Sequence, residues 1–244
     1  MLSLYENERL DVVNDNLSLI QKTDGLTFGT DALLLAAYVR KTKGRALELG
    51  SGSGIISLLL ATREKCAHIL AAEIQADYAE LTRRNIALNN LTDKVSVVEA
   101  DVRNTALLGE AGSYDLVFTN PPYMTADSGF SCKTDAKTIA RHELFGRVED
   151  FIATAARMLK FGGSFYIVLH PARTADFFAA ARQNGLEPKR FTPVCARIDL
   201  PPSMFLAECK RGGKPGLVFT KPLILSSLED FNYIMENGNM PEGF

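Results

Sequence analysis

The stretch Ala46-Leu47-Glu48-Leu49-Gly50-Ser51-Gly52-Ser53-Gly54 sets three glycines at alternate positions between two apolar runs. A ribbon of this kind turns tightly, lets a ligand approach the backbone, and joins a strand to the start of a helix. The first run, Arg45–Leu49, has strand length; the second, Ile55–Arg63, is apolar enough to be a helix buried against a sheet. The same rhythm then repeats. His68–Glu73 reads as a strand, Gln75–Asn89 as a helix, and Lys94–Glu99 and Tyr114–Thr119 as strands. Phe151, Ile152, Ala155, Met158 and Leu159 form a helical stripe stopped by Gly162-Gly163, before a strand over Ser164–His170 and a helix over Arg173–Asn184. Alternation of this length predicts an α/β fold with a mostly parallel sheet covered by helices on both faces. Ligands in such sheets sit at the carboxyl ends of the strands.

The flanking segments depart from the rhythm. Leu10–Val13 and Leu17–Gln21 bracket Asn14-Asp15-Asn16 and predict a hairpin. A helix carrying Ala32 to Val39 is expected to start near Thr30, capped by its hydroxyl. Extended runs near Phe191–Ile198 and Met204–Lys210 have no helix between them, which predicts one antiparallel strand in a sheet of about seven. The expected division is an extension over 1–44 covering the pocket, a core over 45–225 and a tail over 226–244, in one structural domain.

The balance of 27 basic against 29 acidic residues, a net charge of −2, announces no nucleic-acid partner globally. Locally, Lys189 to Lys221 carries seven basic residues against two acids. That face, Lys210, Arg211 and Lys214 included, is a candidate dock for RNA phosphates or simply a solvated hairpin. The four cysteines form no CxxC pair, the three histidines no metal-binding spacing, and the chain shows no signal peptide or membrane-length apolar run. The expectation is a cytoplasmic, metal-free monomer.

Acids close three successive strands, Glu48 before the glycine loop, Glu73 and Asp101. Glu73 stands 19 residues after Gly54, where a carboxylate can accept two ribose hydroxyls. Carboxylates here favour a neutral or cationic ligand over a pyrophosphate. After the fourth strand comes Asn120-Pro121-Pro122-Tyr123. Its chemistry suits an exocyclic amine, whose lone pair is delocalised into a ring. Acceptors on its two N–H bonds, the Asn120 side-chain oxygen and the Pro121 carbonyl, would draw the nitrogen towards tetrahedral geometry. The paired prolines stiffen these acceptors, and Tyr123 offers a ring for a planar target to stack on, a contact of roughly 1–3 kcal/mol per base.

With Glu48, Gly50, Gly52 and Gly54, the loop resembles the S-adenosylmethionine loop of Rossmann-like class I methyltransferases. In those enzymes an acid at the place of Asp101 meets the cofactor's adenine amine. The tetrapeptide resembles that of amino-group methyltransferases acting on adenine, on guanine N2 of ribosomal RNA and on protein glutamine N5. A narrower resemblance rests on Leu26-Thr27-Phe28-Gly29-Thr30-Asp31-Ala32, Ala72-Glu73-Ile74-Gln75 and Ile139-Ala140-Arg141-His142-Glu143. Together these look like the bacterial family that methylates the anticodon-adjacent adenine of a valine tRNA at N6. That resemblance implies S-adenosylmethionine as cofactor, tRNA as substrate, and a Phe28–Asp31 loop, with Phe28 and Thr30, along the methionine end of the cofactor. Only about forty residues precede the first strand of the core, too few for the protein-gripping domain of glutamine methyltransferases.

Overall fold

A computed structural model describes residues 4–25, 27–121 and 146–244. The chain opens with strands β1 (Glu8–Asn14) and β2 (Leu17–Lys22), which pair as an antiparallel hairpin. Helix α1 (Thr30–Tyr38) follows, then β3 (Arg45–Leu49), α2 (Ile55–Thr62), β4 (His68–Glu73), α3 (Ala76–Leu88), β5 (Val95–Glu99) and β6 (Tyr114–Thr119). The second half contributes α4 (Val148–Met158), β7 (Leu159–Leu169), α5 (Thr174–Gln183), β8 (Leu186–Cys195) and β9 (Met204–Arg211). Two short strands, β10 (Val218–Phe219) and β11 (Leu223–Ile224), and helix α6 (Leu228–Asn237) end it.

The main sheet has nine strands, in the order β10-β8-β9-β7-β6-β3-β4-β5, with β11 also on β8. Only β9 runs against its neighbours. The seven long strands match the sequence expectation, and β10 and β11 extend the edge beyond it. Alternate residues serve opposite faces, as the strand period of two requires. Ala46, Leu116, Phe118, Tyr166 and Val168 join the core beneath α1 and α2. Leu47, Leu49, Val117, Phe165 and Ile167 join the other, beneath α4 and α5. Among the described residues, no helix is long and apolar enough to cross a membrane.

Three local expectations need correction. Thr30 does not cap α1: Gly29 is the N-cap, no side chain bonds there, and Thr30 is the first helical residue. Gly162 and Gly163 do not end α4, which stops at Met158 as Leu159 turns extended (φ −70, ψ 144). The chain passes straight into β7, where pairing to β6 jumps from Tyr114↔Leu159 to Leu116↔Ser164. Gly163 lies in that bulge, where an added Cβ would come within 2.9 Å of both Leu159 and the Lys160 carbonyl. Strand β8 begins at Leu186, directly after Gly185 (φ +72) ends α5, rather than near Phe191.

Two buried cations fix α1. The last carbonyls of a helix have no partner within it. Lys65 Nζ donates to the carbonyls of Ala36 (2.8 Å), Ala37 (2.9 Å) and Val39 (2.6 Å). Arg190 Nη2 donates to that of Tyr38 at 2.7 Å, and its guanidinium lies 3.7 Å from the Tyr38 ring centroid while pairing with buried Glu208. Thus four consecutive carbonyls meet buried nitrogen donors; burial pushes the Lys65 pKa down to about 7, and the Arg190 charge stands at the end of the helix dipole that favours it.

The N-terminal hairpin is attached by amides rather than by a sheet. Asn85 of α3 accepts from Ile20 N–H (2.7 Å) and donates to the carbonyls of Ile20 (3.0 Å) and Ser53 (2.9 Å). One turn later Asn89 makes the equivalent pair with Ser18, at 3.0 and 2.8 Å. Asn85 therefore joins the hairpin to the glycine loop. Asn85→Ala should strand three buried backbone groups and lower unfolding stability by about 2–4 kcal/mol. Asn89→Ala, part-exposed, should cost less; urea denaturation of the two variants checks the order.

Candidate active site

Parallel strands β3, β4, β5 and β6 all end at one edge of the sheet, and the sequence-predicted residues fall there. Pairing of Glu48 with Phe118 sets the ends of β3 and β6 side by side. The Thr119 hydroxyl donates to the Leu49 carbonyl at 2.7 Å, fixing Asn120 beside Gly50. Gly50, Gly52 and Gly54 adopt φ of +74°, +55° and +83°. At Gly54 a Cβ would lie 2.8 Å from Thr82; at Gly52 it would meet nothing within 4 Å, so the loop has an open side. Gly52 N–H donates to Glu73 Oε2 (2.8 Å), and the Thr82 hydroxyl to the Gly52 carbonyl (2.7 Å).

Glu73 thus shapes the loop as well as facing it. Its other oxygen accepts from Gln75 N–H at 3.0 Å, and each oxygen keeps a second lone pair for a ligand hydroxyl. Glu48 is almost wholly buried and accepts from the Ser57 hydroxyl of α2. Burial pushes its carboxyl up to about 8; the Ser57 bonds oppose this and nearby Glu73 adds to it. Asp101 is held below the usual carboxylate range by Arg103, whose Nε lies 2.9 Å from both its oxygens. Phe28 packs partly against the core, its N–H donating to Gln21 Oε1 at 2.9 Å, and Thr30 is half-buried at the start of α1.

Asn120 is the distinctive member. Its Nδ2 donates to Asp31 Oδ2 at 2.8 Å, while its Oδ1 is buried and finds no hydrogen-bond partner among the described residues. Pro121 is buried next to it. Ser51 Oγ in the glycine loop is likewise buried without a partner. Beside the glycine loop these two atoms are available to a ligand; Ser113 Oγ, Arg173 Nε, Arg190 Nε and Glu208 Oε2 elsewhere in the fold lack a hydrogen bond among the described residues too. Tyr123, Lys133, Lys137, Arg141, His142 and Glu143 lie outside the described residues. Sequence reading placed Asp31 only as the end of the Phe28–Asp31 loop and gave it no bond to Asn120, since an acid in a first helical turn has an ordinary role at the helix dipole. Ser51 and Ser57 carried no signal beyond their place around the loop.

The basic run breaks up in space. Arg190 is buried, Arg197 pairs with Asp199 at 2.7 Å, and Arg211 is bound to the carbonyls of Arg157 and Leu159 at the end of α4. Because β9 is antiparallel, Lys210, Arg211 and Lys214 lie at the sheet edge opposite Asn120, where Lys210 lines a cavity of about 380 Å³ with Arg40, Asp115 and Lys160. The loop bearing Arg197, between β8 and β9, is on the Asn120 edge.

This arrangement has close counterparts. The methyltransferase small domain model matches residues 22–178, from the end of β2 into α5. A tRNA1(Val) (adenine(37)-N6)-methyltransferase of Cronobacter sakazakii is 32% identical over 200 residues, spanning 81% of this chain and 79% of the relative. Its counterpart in Aeromonas hydrophila is 31% identical over 186 residues, 75% and 76% of the two chains. The chain belongs to the tRNA1(Val) (adenine(37)-N6)-methyltransferase family. Among solved structures, the predicted O-methyltransferase Atu636 from Agrobacterium tumefaciens has a TM-score of 0.69 at 25% identity, covering 86% of this chain and 97% of its own. M. jannaschii TYW2 in complex with AdoMet shares the fold, with a TM-score of 0.57 at 16% identity over 86% of this chain and 90% of that one. Family members use S-adenosylmethionine, and the residues here fit it. The open side of Gly52, the orphaned Ser51 hydroxyl and the spare lone pairs of Glu73 suit an amino-acid and ribose ligand.

Glu48 generates a pH test. Its folded pKa is about 8 against an ordinary 4.5, so between those values the folded chain binds more protons than the unfolded one. Stability contributed by this group is present at low pH and lost as pH rises through that window. Glu48→Gln keeps an acceptor for Ser57, so its melting temperature should fall less than the wild type's between about pH 5 and pH 8. Parallel slopes in thermal melts of the two cofactor-free proteins would exclude a protonated Glu48.

Proposed function

We propose that this chain transfers a methyl group from S-adenosylmethionine to the exocyclic N6 amine of an adenine in tRNA, at adenine 37 of a valine tRNA as in its relatives' name. The observation that carries the site assignment is Asn120, whose buried Oδ1, unpartnered among the described residues, stands at the end of β6 beside the glycine loop. When bound, S-adenosylmethionine supplies a methyl carbon activated by its sulfonium. Asn120 Oδ1 accepts one N–H of the target amine and the Pro121 carbonyl the other. Held this way, the nitrogen lone pair would face the methyl group, the two oxygen dipoles would stabilise the positive charge that grows on nitrogen as the sulfur–methyl bond breaks, and the extra N–H proton would then pass to water. A base in a structured loop must leave its stack to reach these groups. Tyr123, two residues beyond Pro121, is the stacking platform in this reading.

The segment 1–44 closes the site from one side, a role supported by the Asp31 bond to Asn120 and the Asn85 bridge between Ile20 and Ser53. Of the basic residues, Arg197 is placed to meet RNA near the target. Lys214 would meet it at the far edge, across strands of about 20 Å that a continuous stem can span. Such chemistry on tRNA belongs in the cytoplasm.

Incubation with labelled S-adenosylmethionine and total tRNA, followed by nucleoside mass spectrometry, should yield N6-methyladenosine. Asn120→Ala should abolish it while leaving cofactor affinity nearly unchanged; lost cofactor binding with normal single-turnover chemistry contradicts the role. Tyr123→Phe should be mild and Tyr123→Ala severe. Arg197→Glu and Lys214→Glu should each weaken tRNA binding and reduce its salt slope, and a slope unchanged in either variant removes that edge from the interface.

A further inference from the structure

Asn120 can serve as an acceptor only if its amide is turned one way round. The oxygen and nitrogen ends of an asparagine side chain have nearly the same shape, so packing alone does not choose between them. With the nitrogen end towards the target, an N–H would face an N–H and the site would repel the amine it must hold. The choice is made by a residue 89 positions away in sequence. Asp31 Oδ2 lies 2.8 Å from Asn120 Nδ2. A carboxylate only accepts, so the amide end facing it must be the NH₂, which leaves the buried Oδ1 free on the other side. Gly29 makes room for this: a Cβ there would stand 2.7 Å from Asp31 Oδ1.

We infer that Asp31 is a positioning residue that fixes the donor–acceptor polarity of Asn120, so that the site presents an oxygen to an amine. This deepens the functional reading above and rests on it. Asp31 touches no reacting atom; it acts through the amide, and its negative charge also strengthens Oδ1 as an acceptor by polarising the Asn120 hydrogen bond.

The test combines three variants of the full chain, assayed on tRNA at saturating S-adenosylmethionine, with cofactor Kd by calorimetry and folding by thermal melt. Asp31→Leu removes the acceptor and should lower kcat by about 100-fold, with cofactor Kd within about threefold of wild type. Asn120→Asp alone should be similarly impaired, because two carboxylates then face each other. Combining Asn120→Asp with Asp31→Asn should recover activity to within about tenfold of wild type. The new amide at position 31 donates to the new carboxylate, which turns its other oxygen to the target. A helix-terminal or purely structural role for Asp31 gives no such rescue. Wild-type kcat in Asp31→Leu, or a folded double variant no better than Asn120→Asp, overturns the inference. Absence of methyl transfer by the unaltered chain refutes the functional reading, and this inference with it; transfer that survives Asp31→Leu refutes this inference alone.

Discussion

The pairing of β3 with β6 is the constraint from which the site follows. These strands lie far apart in sequence, yet their register puts Glu48 opposite Phe118, and the Thr119 hydroxyl binds the Leu49 carbonyl at the shared end. The glycine loop leaves from one strand and Asn120-Pro121 from the other. The glycine loop and Asn120-Pro121 are thereby set side by side by backbone hydrogen bonds in the middle of the sheet, where core packing on both faces leaves little freedom. A one-residue slip would invert every side chain of β6 and cannot be absorbed.

Around this centre, several polar groups that build the scaffold are satisfied internally: Asn85 with Ile20 and Ser53, Thr82 with Gly52, Lys65 with three carbonyls. Ser51 Oγ and Asn120 Oδ1 are buried without a hydrogen bond among the described residues. An unpaired buried acceptor costs on the order of 1–3 kcal/mol, a cost recovered only when a ligand donates to it. Glu48 differs: its buried carboxyl has a partner in Ser57, and burial disfavours its charged form, which raises its pKa.

Much of this was legible in the sequence, because strand period, glycine spacing and strand-end acids are local signals. The alternation of apolar runs predicted the layers, and Asn120-Pro121-Pro122-Tyr123 pointed to methylation of a planar amine. Gly162-Gly163 misled because a glycine pair after a helical stripe resembles a stop, whereas here it serves a bulge in β7. The basic run misled in another way. Counting charge from Lys189 to Lys221 cannot show that Arg190 turns inward to Glu208, or that antiparallel β9 delivers Lys210 and Arg211 to the far edge. The pairing of Asp31 with Asn120 was not legible for a third reason: it is fixed only once the hairpin, α1 and β6 have assembled.

Helix α1 links these observations. Its carboxyl end is held by buried cations, Lys65 and Arg190, with Arg190 reaching Tyr38 from β8 and also the Phe244 carbonyl at 3.1 Å. Its amino end carries Asp31 to Asn120. Nine residues of helix are too short to be stable alone, so α1 owes its existence to tertiary contacts. Those contacts place positive charge at its negative end and a carboxylate at its positive end, each favourable to the dipole. The groups that stabilise α1 therefore also hold Asp31 in register with Asn120. A loosened carboxyl end, through Lys65 or Arg190, would be felt at the far end of the helix as a less certain amide orientation. The stability of α1 and the orientation of the Asn120 amide are in this way coupled through one short helix, although the clamp at its carboxyl end lies far along the axis from Asn120.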